Sequence, residues 1–293
     1  MSKLSLIIVG ILFTIRADCQ FKNDTIDVAG IKRTFHFIEP ASKMENASLI
    51  FVLHGSGGTG KQVAQGAQKL QAISKQENIL LVYPDGYKNY WNECRKAATS
   101  AANVENIDEG TFFSLMIDYF TKKYYADPQH VFVVGTSGGG HMAYKLAMTM
   151  PQKIKAITAI IANLPDSVNM DCTAANVPVS VMIINGTSDP VNPYLGGEVK
   201  ITGAYLGTVR STEETFKYWT RLNGFSGKPK ETTLPDTDPN DGKTIVRYSF
   251  EQKGKPSAVL LKVVGGKHDY PNDIDVYLEA WKFFKQEIKQ TTP

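Results

Sequence analysis

The sequence has few of the features that mark several common protein classes. Its 293 residues include three cysteines, none in the spacing of a metal site, and its formal charge is +3. So small a charge does not favour binding to nucleic acid or to an acidic membrane surface. The chain also lacks internal repeats, low-complexity tracts and long linkers. With 42% hydrophobic residues it can bury one large core, so we expect a single domain over residues 20–293.

Only the N-terminus carries a long apolar run. The stretch LSLIIVGILFTI has 12 residues, which is too short to span a bilayer, and a basic residue precedes it. Its length is typical of a signal-peptide core, and Ala17 and Cys19 supply the small residues required at positions −3 and −1 of a cleavage site before Gln20. We therefore expect residues 1–19 to be a signal peptide. The protein would then be secreted or periplasmic, with no stable membrane association.

The cysteines allow more than one interpretation. Cys19 could instead mark a lipoprotein anchor, although Arg16 and Asp18 fit such a signal badly. Removal of the signal leaves Cys94 and Cys172, and an even pair in an oxidising compartment suggests one disulfide that closes a loop of about 78 residues. Two free buried thiols are the alternative.

Short apolar runs alternate with longer amphipathic stretches along the chain. The runs predict buried strands at 48–53, 79–83, 131–135, 157–162, 179–185 and 258–264, with a half-exposed strand at 34–39. The amphipathic stretches predict helices near 61–77, 109–125, 139–150, 212–223 and 273–289. This alternation predicts an α/β fold, in which a mostly parallel sheet is covered by helices on both faces.

Three connections are longer than packing requires, namely 84–108, 189–210 and 226–243. Long loops in compact domains usually either build sites or fray. The first two follow the carboxyl ends of strands, where ligands bind to such sheets, so we expect them to form the walls of a cleft. We expect the third to be a surface hairpin.

Ser137 lies where a nucleophile would be held. The segment VFVVGTSGGGHMAYKLA (131–147) predicts a strand, a tight turn and a helix, and its GTSGG fits G-x-S-x-G. The nucleophile elbow of serine hydrolases has this context, because its strained turn needs small residues on both sides of the serine. The helix that begins there directs backbone N–H groups and its dipole at the same point. A small residue in a flexible glycine bend is the alternative.

A serine hydroxyl needs a base to accept its proton, and His268 is the strongest candidate. The other four histidines are better explained by structural roles: His36, His54, His130 and His141. His268 lies after the last predicted strand, on a glycine-rich loop that could overhang the serine. Asp189 directly follows the strand at 179–185 and could orient that imidazole, with Asp85 and Asp269 as rivals. The order Ser137, Asp189, His268 is that of the α/β-hydrolase fold.

The loop HGSGG (54–58) admits two functions. An oxyanion hole needs two backbone donors, and we expect them to be the N–H groups of Gly138 and of Gly55 or Ser56. The same loop opens a G-x-G-x-x-G and a G-x-x-x-x-G-K signature of nucleotide binding. Gln62, however, stands where a phosphate loop places Ser or Thr, and no acidic residue lies at the right offset. Binding of a nucleotide or a carbohydrate without turnover is therefore the less favoured interpretation.

Taken together, these motifs resemble a known family. HGSGG, YPDG, WNEC, GTSGGG, NGTSDPVNPYLGG and GGKHDYP are similar to the polyhydroxybutyrate depolymerase-like branch of the α/β-hydrolases. That branch includes feruloyl and acetyl-xylan esterases of carbohydrate esterase family 1. Segments 209–224 and 234–242 are similar too, so the resemblance covers roughly residues 25–290.

The resemblance implies roles for particular residues. It assigns the catalytic triad to Ser137, Asp189 and His268, and a disulfide to Cys94 and Cys172. The candidates for substrate contact are Trp91, Asn92, Thr136 and Tyr270. This chain departs from the family at Tyr270, where tryptophan is common, and at Phe225, where cysteine is common. The first departure would alter the aromatic face offered to the substrate.

These inferences predict a secreted serine esterase that works through an acyl-enzyme and needs no metal or organic cofactor. The expected substrates are feruloyl or acetyl esters on plant-type polysaccharide. Short polyhydroxyalkanoates, as esters of 3-hydroxybutyrate, are the alternative substrates, and peptides are a more distant possibility.

Overall fold

One sheet of 10 strands organises the part of the chain that the computed structural model describes, residues 20–40, 44–201 and 204–291. The strands are β1 (Gln20–Val28), β2 (Ile31–Glu39), β3 (Ala47–Leu53), β4 (Ile79–Pro84), β5 (Ala126–Thr136), β6 (Ala156–Ile160), β7 (Ser180–Gly186), β8 (Gly197–Ile201), β9 (Ala204–Val209), β10 (Lys230–Thr233), β11 (Thr244–Phe250) and β12 (Ala258–Val264). The order in the main sheet is β1-β2-β4-β3-β5-β6-β7-β12-β11-β10, and β8 pairs with β9 in a separate hairpin. The predicted signal peptide at 1–19 lies outside the described residues.

The centre of the sheet is parallel and its two edges are antiparallel. Strands β4, β3, β5, β6, β7 and β12 run in one direction. Strands β1 and β2 pair antiparallel at one edge, as do β11 and β10 at the other. Strands β3, β4, β6 and β7 are buried at every residue, because helices cover both faces and continuous apolar runs can be accommodated there.

The helices form two layers. They are α1 (Gly60–Gly66), α2 (Gln68–Ser74), α3 (Ala101–Val104), α4 (Glu109–Tyr124), α5 (Gly138–Thr149), α6 (Thr212–Leu222) and α7 (Val276–Thr291). Phe113 of α4, Leu146 of α5 and Trp219 of α6 pack in the core on one face of the sheet. Leu70 of α2 and Phe284 of α7 pack in the core on the other face. Among the described residues, no helix combines the length and apolar character needed to cross a bilayer.

The α/β class predicted from the sequence is confirmed, with two kinds of difference in detail. The helix expected at 61–77 is two helices, since the backbone leaves the helical region at Ala67 (φ −98°, ψ 22°) just after the weak helix former Gly66. Strands β1, β8, β9, β10 and β11 were not predicted. Polar residues or glycine interrupt these edge and hairpin strands, so they lack the continuous apolar runs of the parallel centre.

A disulfide fixes the first long connection. Cys94, in the loop after β4, is bonded to Cys172, in the segment before β7, across a sequence separation of 78 residues. The pairing expected from the sequence is therefore present, and the two cysteines are not free thiols. Because the cross-link limits the unfolded chain more than the folded one, it should stabilise the fold.

We predict that replacing both cysteines, as Cys94→Ala with Cys172→Ala, lowers the free energy of unfolding by about 2–5 kcal/mol, the upper end being close to the chain-entropy estimate for a loop of this size. Urea unfolding of wild type with and without dithiothreitol should show a loss of the same size, and the double variant should not respond to the reductant. The unfolded, unreduced full-length chain should expose one reactive thiol, that of Cys19. Three reactive thiols would contradict the bond.

Candidate active site

The turn between β5 and α5 holds Ser137 in a conformation that non-glycine residues rarely adopt. Its backbone has φ 52° and ψ −116°, and such a residue costs about 1–3 kcal/mol unless its surroundings impose the geometry. Two hydrogen bonds impose it: Ser137 N–H donates to Ile160 O (2.8 Å) and Ser137 O accepts from His141 N–H (3.0 Å). A serine before a helix normally caps it through its side chain, but this hydroxyl makes no capping bond. The hydroxyl is left available to another partner.

Glycines on both sides of Ser137 allow the turn to close. A Cβ added at Gly135 would lie 2.1 Å from the carbonyl oxygen of Gly139, and one added at Gly139 would lie 2.6 Å from the carbonyl oxygens of Leu53 and His54. No real side chain tolerates such contacts. The GTSGG motif is therefore a steric requirement of the place where β5, α5 and the end of β3 meet.

His268 and Asp189 meet the serine at this edge of the sheet. His268 Nε2 lies 3.1 Å from Ser137 Oγ, and His268 Nδ1 lies 2.8 Å from Asp189 Oδ2. Asp189 is 7% exposed, and its other oxygen, Oδ1, accepts hydrogen bonds from the N–H groups of Val191 and Asn192 at 2.8 Å each. The structure thus brings the three predicted residues into one chain of hydrogen bonds, with the carboxylate fixed at both oxygens.

The loops that carry Asp189 and His268 pack directly against each other. Ser188 N–H donates to Gly266 O (2.8 Å), and a Cβ added at Gly186 would lie 2.3 Å from that same oxygen. A larger residue at Gly186 would therefore push the loop of His268 away from the loop of Asp189. This contact explains the glycine of NGTSD, and the glycine at 266 has its own steric reason, since a Cβ there would lie 2.7 Å from Val263 Cγ1 and 3.1 Å from Gly186 Cα.

The segment 226–243, expected from the sequence to be a surface hairpin, also contacts the loop that follows His268. Strand β10 is exposed as expected, but Lys243 Nζ donates to Asp269 Oδ1 (3.0 Å) and to Tyr270 O (3.2 Å). Asp241 Oδ2 also accepts from Asn272 N–H (3.3 Å). These contacts hold the loop that follows His268 from outside. Nothing in the local sequence of Lys243 signals this role, because its partners lie in a separate loop.

Two backbone N–H groups beside Ser137 are available as donors. A Cβ added at Gly138 would lie 2.9 Å from Ser56 N, so the two amides are close together. Neither N–H donates to another described residue. Gly55 also lies beside the serine, since a Cβ there would be 3.5 Å from Ser137 Cβ. Paired free amides at the start of a helix are suited to stabilise a negative oxygen.

Three N–H groups further along the same loop are not available to a nucleotide phosphate. Gly57 N–H donates to Asn89 O, and Gly58 N–H donates to Gly55 O. Gly60 N–H donates to Asp85 Oδ1, which also places the rival carboxylate away from His268. The N–H groups of Gly57, Gly58 and Gly60 are thus bonded within the protein, which disfavours the nucleotide-binding interpretation.

His54 holds this loop in place. Its Nδ1–H donates to Gly55 O (2.7 Å), its Nε2 accepts from Gly86 N–H (2.9 Å), and Trp91 Nε1–H donates to its carbonyl oxygen (2.9 Å). Both ring nitrogens are used in the neutral form, and burial lowers the pKa of His54. The expected structural role of this histidine is what the structure shows.

The remaining histidines also lie away from the serine hydroxyl. His36 pairs with Asp85, and His130 pairs with Asp127. His141 is buried in α5, and its pKa is well below the usual value because of burial first and the nearby charge of Arg95 second. No side-chain hydrogen bond links any of them to Ser137.

Two cavities meet at the free amides. The first, which we call the Ser137 cavity, has a volume of about 560 Å³ and is lined by Gly55, Ser56, Thr136, Ser137, Ile161, Val191, Ile201, His268, Asp269 and Tyr270. The second, the Arg95 cavity, has a volume of about 510 Å³ and is lined by Ser56, Tyr90, Trp91, Glu93, Arg95, Ala98, Thr99, Ser100, Ala101, Asn103, Gly138, Ile201 and Leu206. The two share Ser56 and Ile201. Val191 and Ile201 come from the second long connection, which forms a wall as expected.

The four predicted substrate contacts have different surroundings. Thr136 and Tyr270 line the Ser137 cavity, and their hydroxyl oxygens lie 2.6 Å apart, so they form one polar wall. Trp91 lines the Arg95 cavity. Asn92 lines neither cavity: its amide donates to Asn106 Oδ1 and Ile107 O, because it braces the long loop from within.

The sheet, the strained serine and the hydrogen-bonded chain to its histidine and aspartate define an α/β-hydrolase. Residues 34–217 match the phospholipase/carboxylesterase family of such hydrolases. The chain belongs to this family and is a hydrolase, as the sequence predicts.

Curated relatives and solved structures agree with this assignment. Acetylxylan esterase A of Aspergillus oryzae is 26% identical over 216 residues, which are 68% of this chain and 69% of that one. Feruloyl esterase B of Piromyces equi is 23% identical over 242 residues, which are 82% of this chain and 42% of that one. The resemblance inferred from the motifs is confirmed.

Two solved structures share the fold. An acetyl xylan esterase from Aspergillus awamori superimposes with a TM-score of 0.60 at 18% identity, covering 89% of this chain and 99% of that one. An S-formylglutathione hydrolase from Staphylococcus aureus gives a TM-score of 0.53 at 10% identity, covering 98% and 100%. At such identities the likeness supports the fold alone.

We predict that the fold loses stability as the pH falls below the ordinary histidine value of 6.5, because His54 and His141 stay neutral when folded and gain protons when unfolded. Each can contribute at most about 1.4 kcal/mol per pH unit in that range, and its full contribution is present above it. Urea unfolding at a series of pH values should show a shallower slope for His54→Gln than for wild type. An unchanged slope would contradict the inference that His54 is neutral in the folded chain.

Proposed function

We propose that the protein is a secreted serine esterase in which His268 removes the proton of Ser137 while Ser137 Oγ attacks an ester carbonyl. The negative oxygen that forms is stabilised by the N–H groups of Ser56 and Gly138. Asp189 holds His268 in the tautomer that presents a free Nε2 to the serine, and stabilises the imidazolium.

His268 transfers the protons in the rest of the cycle. Protonated His268 donates its proton to the leaving alkoxide oxygen, the alcohol departs, and Ser137 remains as an acyl ester. A water molecule then loses a proton to His268 and attacks the acyl carbon. Collapse of the second tetrahedral intermediate releases the carboxylic acid and returns the proton to Ser137.

One observation carries this proposal: the hydroxyl of a strained serine is 3.1 Å from an imidazole nitrogen whose partner is a doubly anchored carboxylate. A serine with only a structural role would not need an uncommon backbone conformation, nor a hydroxyl that faces a histidine at a cavity wall. Strain at one residue is tolerated when the position has a function. Family membership supports the same conclusion.

We further propose that the substrates are acetyl or feruloyl esters on plant-type polysaccharide. Relatives named acetylxylan esterase and feruloyl esterase, 26% and 23% identical to this chain, support this choice. The Ser137 cavity is open enough for a sugar, and its wall of Thr136 and Tyr270 presents hydroxyl groups that can bind one.

Export is the third part of the proposal. The N-terminal run with its cleavage pattern supports a signal peptide at 1–19, and the disulfide supports an oxidising compartment. We therefore propose a mature domain over residues 20–293 in the periplasm or outside the cell.

We predict that Ser137→Ala lowers kcat for hydrolysis of 4-nitrophenyl acetate by roughly 10⁴-fold or more, because no other group can form the acyl-enzyme. The matched control is Ser226→Ala, which removes a serine hydroxyl remote from the site and should leave the rate near that of wild type. Comparable rates for Ser137→Ala and wild type would refute the proposed mechanism.

We also predict a substrate order. Wild type should release ferulate or acetate from esterified xylan oligosaccharides faster than it releases 3-hydroxybutyrate from its dimeric ester, measured by chromatography of the free acids. The reverse order would indicate that short hydroxyalkanoate esters, the alternative from the sequence, are the substrates.

A further inference from the structure

The Arg95 cavity lies on the far side of the free amides from His268. Ser56 and Gly138, the two proposed oxyanion donors, form part of its wall, while Ser137 and His268 do not. A group bound there would touch the donors without touching the base. The cavity is thus an extension of the site with chemistry of its own.

Arg95 gives this cavity an unusual polar feature. Its side chain is only 3% exposed, and Nε–H and the backbone N–H donate to the two oxygens of Glu93 at 2.8 and 2.9 Å. No described residue accepts a hydrogen bond from the Nη groups of Arg95. Nη1 of Arg33 is fully buried and has no hydrogen-bond partner, whereas the Nη atoms of Arg95 are not fully buried. They are therefore accessible from the cavity that Arg95 lines.

A buried guanidinium with unused donors costs free energy unless a ligand or water completes its hydrogen bonds. The surrounding wall suits an organic ligand. Trp91, Ala98 and Leu206 contribute apolar surface, while Ser100 and Asn103 contribute further polar groups. A volume of about 510 Å³ lies within the usual range for small-molecule sites.

The position of His268 determines whether the acyl group or the alcohol of an ester occupies this cavity. The leaving oxygen must lie near His268 Nε2 to receive its proton, so the alcohol occupies the Ser137 cavity. The carbonyl oxygen points between Ser56 and Gly138. The acyl group then extends past these donors, away from His268 and into the Arg95 cavity.

The charge of the wall limits the ligand further. Glu93 already neutralises Arg95, and its carboxylate is held by two hydrogen bonds from Arg95 itself. A second carboxylate, brought in by the ligand, would be repelled by Glu93 in a site of low dielectric constant. An uncharged oxygen acceptor, such as a hydroxyl or methoxy group, suits the free Nη donors better.

Resting on the proposed esterase function, we propose that the Arg95 cavity binds the acyl group, and that Arg95 selects acyl groups bearing an uncharged oxygen substituent over hydrocarbon acyl groups of the same carbon skeleton. Hydroxycinnamoyl and hydroxyalkanoyl groups share this chemistry. Arg95 is in this account a specificity-determining residue, which the sequence motif WNECR does not reveal.

The first test uses wild-type protein and matched pairs of methyl esters. One pair is cinnamate and 4-hydroxycinnamate, with ferulate as a third member, and the other is butanoate and 3-hydroxybutanoate. We expect kcat/KM to be about tenfold or more higher for the oxygen-bearing member of at least one pair. The pair that shows the preference identifies the source, aromatic or aliphatic. Equal kcat/KM within both pairs would overturn the inference, whatever happens to any variant.

The second test assigns the preference to Arg95. The paired change Glu93→Gln with Arg95→Met removes both charges together, so no unpaired buried charge remains. It should reduce the preference to about twofold or less. The matched control is Arg247→Met with Glu251→Gln, a surface pair of the same chemistry, which should keep the wild-type preference. A folded Glu93/Arg95 variant with the full preference would overturn the role of Arg95.

Different results would disprove the serine esterase mechanism and the inference about Arg95. If wild type and Ser137→Ala hydrolyse these esters at equal rates, the serine esterase mechanism is wrong and the inference falls with it. If hydrolysis depends on Ser137 but ignores the acyl oxygen, only the inference about Arg95 is wrong.

Discussion

The arrangement of this site depends on one strained residue. Ser137 keeps φ 52° because β5 ends against β6 and α5 begins at once, with its backbone amide bonded to Ile160 and its carbonyl to the next turn of α5. The same sharp turn lifts the hydroxyl out of the sheet and brings the Gly138 amide beside Ser56. The positions of the proposed nucleophile, the helix N-terminus and the proposed oxyanion donors all follow from one backbone conformation, which the glycines at 135 and 139 permit.

The parallel centre of the sheet brings the other two groups to this turn. The strands β5, β7 and β12 end at the same edge, so residues distant in sequence emerge side by side. The contact between Gly186 and Gly266 sets how closely the Asp189 and His268 loops approach. Lys243 then fixes the His268 loop from outside. The geometry of the proposed triad is thus held by backbone packing and by Lys243 in addition to its own hydrogen bonds.

The sequence predicts the centre of the molecule better than its periphery, for a physical reason. Buried parallel strands such as β3 and β7 must be continuously apolar, and the elbow must contain glycine, so both leave a local pattern. The polar edge strand β10 leaves no such pattern in the sequence. Asn92 and Arg95 are only three positions apart, yet one braces a loop and the other opens onto a cavity. That difference is set by contacts with distant segments, which spacing along the chain does not record.

The central claim is that Ser137 is an activated nucleophile whose reactivity depends on His268. Treatment with a fluorophosphonate, followed by peptide mass spectrometry, tests this claim most directly, since such reagents form a stable bond with an activated serine oxygen. We predict one adduct per chain, on the peptide that contains Ser137, and very slow labelling of His268→Ala. Labelling on a different serine, or equally fast labelling of His268→Ala, would contradict this account of the site.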